Sequence, residues 1–136
     1  MSPRETLVAE AREWLDRARG DLQACDALIA AGLPVEALFH AQQCAEKAMK
    51  ALLTWRQVSF KKTHDLDELK QSCLPLAPGA AVQLDGIERP SQYAWRFRYP
   101  GAPYSPERGE AEEARQAAGQ LLDAMAAPLE SQFSGD

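Results

Sequence analysis

His40, Gln43, Lys47 and Lys50 fall on one stripe of a predicted helix, with Glu36 one turn before His40. An imidazole, an amide, two ammonium groups and a carboxylate offer acid–base chemistry and a grip on an anion. The same residue types also make an ordinary solvated helix face, and the spacing alone fits both. Beside the stripe, Ala37, Ala41, Cys44, Ala45, Ala48 and Leu52 form a wall of small side chains. Such a wall lets a second helix come close, and a homodimer seam is one use for it.

Two further groups carry chemistry. His64-Asp65-Leu66 follows the basic loop Lys61-Lys62-Thr63. A histidine at a helix start beside an acid can have its ring oriented or can hold an anion, or it makes only a local capping contact. The third group, Tyr93-Ala-Trp-Arg-Phe-Arg-Tyr-Pro100, alternates aromatic with basic residues ahead of a Pro/Gly loop. Arg96 and Arg98 could grip phosphate while Tyr99, or Tyr104 beyond the loop, stacks a base. The alternative packs Trp95 and Phe97 inward and ties the arginines into ion pairs.

No P-loop, dinucleotide fingerprint or nucleophile elbow is present, and no cofactor is expected. Two isolated histidines and three cysteines without a CxxC pair lack metal-ligand spacing. Cys25, Cys44 and Cys73 read as buried thiols of a reducing cytoplasm. The apolar runs are too short and too charged for a membrane span or a signal peptide. The expected location is cytoplasmic.

The elements that must position these groups are helical. Ser2-Pro3-Arg4-Glu5 is a helix start with a capping box and proline at the first turn. Leu7, Ala11, Trp14, Leu15, Ala18, Leu22, Cys25, Leu28 and Ile29 then repeat at helical spacing. Gly32 ends this helix and Leu33-Pro34 opens the next, which runs to about Gln57. So short a turn makes the two helices antiparallel. A loop over 58–63 leads to a short third helix, His64 to Cys73, with Asp65 and Glu68 spaced as a capping box. A further helix is expected over 80–87, with continuation past Pro90 toward Trp95. Pro100, Gly101 and Pro103 exclude a helix between Tyr99 and Ser105. Ser105-Pro106-Glu107 opens the last helix, whose inner face carries Ala111, Ala114, Ala118, Leu121, Leu122, Met125 and Leu129. Ser131–Asp136 is expected to fray.

The fold class is therefore all-α: an up-down bundle of about five helices in one domain spanning 1–136. At 136 residues the chain can bury a core without metal or disulfide. Its net charge of −5 argues against a general nucleic-acid coating protein. The charge is uneven, however. Residues 55–98 hold seven basic side chains against five acidic ones, between two acidic flanks. An anion site is best sought in that middle third.

Three strings together resemble the HEPN domain family. They are His40-Ala-Gln-Gln-Cys-Ala-Glu-Lys-Ala-Met-Lys-Ala-Leu-Leu53, Thr63-His64-Asp65-Leu66 with Leu69, and Arg98-Tyr99-Pro100 ahead of an alanine-rich last helix. The resemblance covers about residues 5–127. It implies a helical bundle that dimerises, in many relatives encoded beside a small nucleotidyltransferase as the toxin half of a pair. It also implies metal-independent RNA cleavage by an arginine followed, after four to six residues, by histidine.

This chain departs from that motif. Its histidines are His40 and His64, and with five residues between, Arg98 is followed by Tyr104. A histidine of pKa about 6.5 can take the 2′-hydroxyl proton at neutral pH, whereas a tyrosine of pKa about 10 is a poor base. The sequence thus favours a binding module without nuclease activity. Its partners would be a nucleotidyltransferase-domain protein, a nucleotide or an RNA. The ligand-binding candidates are Arg96, Arg98, Tyr99, Tyr104, Gln43, Lys47 and His64. The alternatives are a divergent ribonuclease using Arg98 with His40 or His64, and a scaffold whose stripe only sets dimer geometry.

Overall fold

A computed structural model describes residues 2–61, 65–87 and 108–133. They form five α-helices and one short 3-10 turn, with no strand among the described residues. The helices are α1 (Pro3–Ala30), α2 (Pro34–Trp55), α3 (Leu66–Cys73), α4 (Ala81–Asp85) and α5 (Arg108–Phe133). The all-α bundle expected from the sequence is the fold.

Local chemistry sets the helix ends. Glu5 N–H donates to Ser2 Oγ (3.1 Å) and Ser2 N–H to Glu5 Oε2 (3.2 Å), a complete capping box. At the other end of α1, Gly32 takes φ +76°. Its N–H reaches Ile29 O, and Leu33 N–H reaches Leu28 O. These two bonds make a Schellman stop that needs a left-handed residue. Asp65 caps α3, its Oδ1 accepting from Asp67 N–H (3.0 Å) and Glu68 N–H (3.3 Å). The expected fourth helix is a 3-10 turn over Pro78–Ala80 running into α4. The last helix continues through Ser131 to Phe133, with Leu129 fully buried near its end.

Pairings between side chains fix the helix directions. Asp21 meets His40 and Lys47, Trp14 meets Lys50, and Arg4 meets Trp55. As α1 numbers fall, α2 numbers rise, so the two are antiparallel. Arg19 pairs with Glu130, and Asp26 with Arg115, so α1 and α5 are antiparallel too. Helices α2 and α5 therefore run the same way.

Helix α2 is the centre of the bundle. Ala37, Ala41, Cys44, Ala45 and Ala48 are at most 1% exposed, and Leu38, Met49, Ala51, Leu52 and Leu53 are buried as well. The small-residue wall is thus filled from within the chain, by α1 and α5, and is not an open seam for a second copy. Cys44 Sγ lies 4.0 Å from Ala118 O of α5, and Cys73 Sγ lies 3.7 Å from Met49 O. Bidentate bonds from Arg115 to Asp26 (2.7 and 3.2 Å) tie α5 to α1. Gly119 makes room for that arginine: a Cβ there would come 3.1 Å from Arg115 Nη1.

All three cysteines are buried. Burial pushes the Cys25 thiol up to about 11 and those of Cys44 and Cys73 up to about 12, with Asp26 and Asp21 adding to the first two. A thiol raised in the folded state stabilises the fold below its unfolded pKa of about 8.5, and this contribution is lost as pH climbs toward the folded values. Stability should therefore be level near pH 8 and decline from about pH 9 upward. A thiol reagent at pH 8 should label the native chain slowly and the urea-unfolded chain at once. Rapid native labelling would contradict the buried placement.

No described helix is long and apolar enough to cross a membrane. No group of three or more potential metal ligands occurs among the described residues.

Candidate functional site

The polar stripe of α2 sinks into the protein as it descends. Glu36 is exposed, His40, Gln43 and Lys47 are half-buried, and Lys50 is only 7% exposed. Asp21 of α1 gathers its middle. The carboxylate accepts from His40 Nδ1 at 2.8 Å through Oδ1 and from Lys47 Nζ at 2.5 Å through Oδ2. A carboxylate only accepts, so Nδ1 is the donor in this contact. The exposed Phe39 ring meets the imidazole edge-on at 5.4 Å.

The sequence motifs do not single out Asp21, yet the pattern contains a signal for it. It lies three residues after Ala18 and four before Cys25, in the middle of the apolar stripe of α1. An acid at such a position needs partners, because a buried charge without them is costly.

The lower end of the stripe departs from a solvated face altogether. Glu46 is 3% exposed and pairs with Lys50 at 3.7 Å. Lys50 Nζ lies 5.3 Å from the Trp14 ring and 5.7 Å from the Phe60 ring, which meet each other edge to face. By spacing alone Glu46–Lys50 is an ordinary surface pair. Trp14 from α1 and Phe60 from the loop after α2 cover it instead, and the lysine stem supplies apolar surface to both rings.

A cleft of about 460 Å³ opens where the start of α1 meets the end of α2, lined by Pro3, Arg4, Leu7, Trp55, Arg56 and Gln57. Arg4 lies 5.7 Å over the Trp55 ring. Trp55 is half-buried and Arg56 exposed. Gln57 carries φ +57°.

Of the sequence-derived site residues, His40 and Lys47 come together on Asp21, while Gln43 lies half-buried on the same helix. His64, Arg96, Arg98, Tyr99 and Tyr104 lie outside the described residues.

With this geometry in view, the HEPN domain model matches residues 11–128 of the chain. The chain belongs to the HEPN domain family. Two solved structures share the HEPN fold seen here. An archaeal HEPN homologue, ST0689, is 26% identical, with a TM-score of 0.72 over 88% of this chain and 97% of its own. TT1696 from Thermus thermophilus is 28% identical, with a TM-score of 0.75 over 86% of this chain and 96% of its own. A search of curated proteins finds no match. The α2 string that carried the resemblance is the central helix of this HEPN bundle. Its small residues serve internal packing, and its polar residues meet Asp21, Trp14 and Phe60.

Proposed function

We propose that this HEPN-domain protein is a cytoplasmic binding module that does not cut RNA and works with a small nucleotidyltransferase-domain protein. Arg96 and Arg98 hold the phosphate of a nucleotide or RNA, and Tyr99 and Tyr104 stack against its base. Gln43, Lys47 and His64 complete the candidate set. The observation that carries this reading is where the histidines stand. The chain has two, and Tyr104 occupies the place where the family nuclease has its histidine after Arg98. The described one, His40, is bound to Asp21 between α1 and α2. Pairing of two copies is part of the proposal. The alanine wall is filled from within, so that contact falls on the outside of the bundle.

One observation favours a second reading. An aspartate fixing Nδ1 of a histidine that remains one-third exposed is also how a general base is oriented. A divergent ribonuclease would use His40 Nε2 in this way, with Arg98 on the phosphate.

One experiment separates the two. Purified protein is incubated with total RNA, and the same chain is expressed for growth and for capture of a nucleotidyltransferase encoded beside it. The binding reading expects intact RNA, no growth arrest and co-purification of the partner, weakened about tenfold or more by Arg98→Ala. RNA cleavage abolished by His40→Ala would overturn it in favour of the enzyme.

A further inference from the structure

The cleft at the α1–α2 end of the bundle is built from residues the proposed function does not use. Pro3, Arg4, Leu7, Trp55, Arg56 and Gln57 line it, and no acid stands among them. Its volume of about 460 Å³ lies within the range of small-molecule sites. The antiparallel helices bring the positive end of α1 and the negative end of α2 together here. Their dipoles offset, so the side chains decide the sign of the cleft.

Those side chains leave one positive charge uncommitted. Arg4 is engaged within the chain: its guanidinium lies over the Trp55 ring and has a further interaction besides. Arg56 is exposed at the stop of α2, and its side chain pairs with no described residue. A single free guanidinium balances a monoanion and leaves a dianion half neutralised. Its planar fork fits a carboxylate through two parallel N–H···O bonds. Beside it, Pro3, Leu7 and half-buried Trp55 form an apolar wall for the body that such an anion carries.

Gln57 provides an independent observation. Val58 N–H bonds Leu53 O and Gln57 N–H bonds Thr54 O, the same Schellman stop that ends α1. In α1 glycine fills the left-handed position, at Gly32. In α2 a glutamine fills it at φ +57°, a conformation that side chains rarely adopt. Strained backbone of this kind gathers at binding and active sites. The group it brings to the cleft is an amide, whose N–H donates to a carboxylate without adding charge.

We propose that this cleft binds a monocarboxylate with an apolar body, either a small free acid or the C-terminal residue of a peptide. Arg56 grips the carboxylate, Gln57 donates to it, and Pro3, Leu7 and Trp55 pack the apolar body. Arg4 holds the Trp55 ring in place and is not asked to leave it. The site is separate from the Arg96 to Tyr104 region and does not rest on the function proposed for it.

Titration of the ¹⁵N-labelled full chain with 3-phenylpropionate, followed by NMR, tests the proposal. The Trp55 indole N–H and the Gln57 side-chain amide should shift and saturate, with a dissociation constant of about 1 mM or lower. The neutral 3-phenylpropionamide, which keeps the ring and loses the charge, should bind about tenfold or more weakly. Arg56→Gln should cost the acid a similar factor and bring its affinity down to that of the amide. Gln57→Gly relieves the left-handed strain, so its melting temperature should hold or rise while affinity for the acid falls about threefold or more. N-acetyl-glycyl-phenylalanine distinguishes the sources: tighter binding than the free acid assigns the site to peptide C-termini, and weaker binding assigns it to small acids. The absence of a saturable shift at these two residues up to about 10 mM would overturn the site. Equal binding of acid and amide, or binding of the acid unchanged in Arg56→Gln, would overturn it as well.

Discussion

Asp21→Ala should lower folding stability by about 2–3 kcal/mol, read from urea unfolding at pH 7. The carboxylate is 10% exposed and holds two partners from the next helix, His40 at 2.8 Å and Lys47 at 2.5 Å. Removing it leaves Lys47 beside a cavity, its side chain 22% exposed and its charge without an acceptor. Breaking a fully buried pair in this way costs about 3–5 kcal/mol. Partial water access to Lys47 and His40 puts this case below that range. Lys47→Met should cost less, about 1–2 kcal/mol, because its stem packing survives and Asp21 keeps the imidazole. The double variant Asp21→Ala with Lys47→Met should then be milder than the sum of the singles, since it removes the stranded charge. Strict additivity, or an Asp21→Ala effect below about 0.5 kcal/mol, would mean that the network behaves as a surface pair.

The same network shows which parts of the molecule are legible in the sequence. Capping chemistry is local: Ser2 with Glu5, Gly32 and Asp65 act within a few residues of themselves, and each does what its sequence context predicts. The periodic apolar face of α2 is equally legible, and every member of it is buried. What escapes depends on register between helices. That Asp21 would meet His40 and Lys47, nineteen and twenty-six residues away, follows from how α1 slides along α2. The burial of Lys50 depends on Trp14 and on a loop folding back to place Phe60. A polar stripe reads identically whether water or another element faces it. Gln57 shows a different blindness: the sequence places the helix end near it, but a left-handed glutamine carries no signal of the kind Gly32 gives. The candidate site is legible as a set of residue types, and of its α2 members His40 and Lys47 meet on Asp21. The Arg96–Tyr104 region lies outside the described residues, so its chemistry rests on the sequence.

Leu53→Ala should be the most damaging single truncation in α2, at about 3–4 kcal/mol. Leu53 is fully buried in the central helix, so neighbours on several sides would have to move to close the space left behind. It also supplies the carbonyl that accepts Val58 N–H at 2.9 Å in the stop of α2. In such stops the third residue from the helix end and the second residue past it usually touch through their side chains. Here those residues are Leu53 and Val58, and Val58 is partly buried against the core. Truncating Leu53 thus opens a core cavity and loosens the turn that holds Gln57 left-handed. Set against a typical domain stability of about 5–15 kcal/mol, such a loss should appear as a large drop in the urea midpoint with little change in slope. Phe39→Ala is the control: that ring is 47% exposed, and its loss should cost well under about 1.5 kcal/mol. Equal costs at the two positions would remove α2 from the centre of the fold.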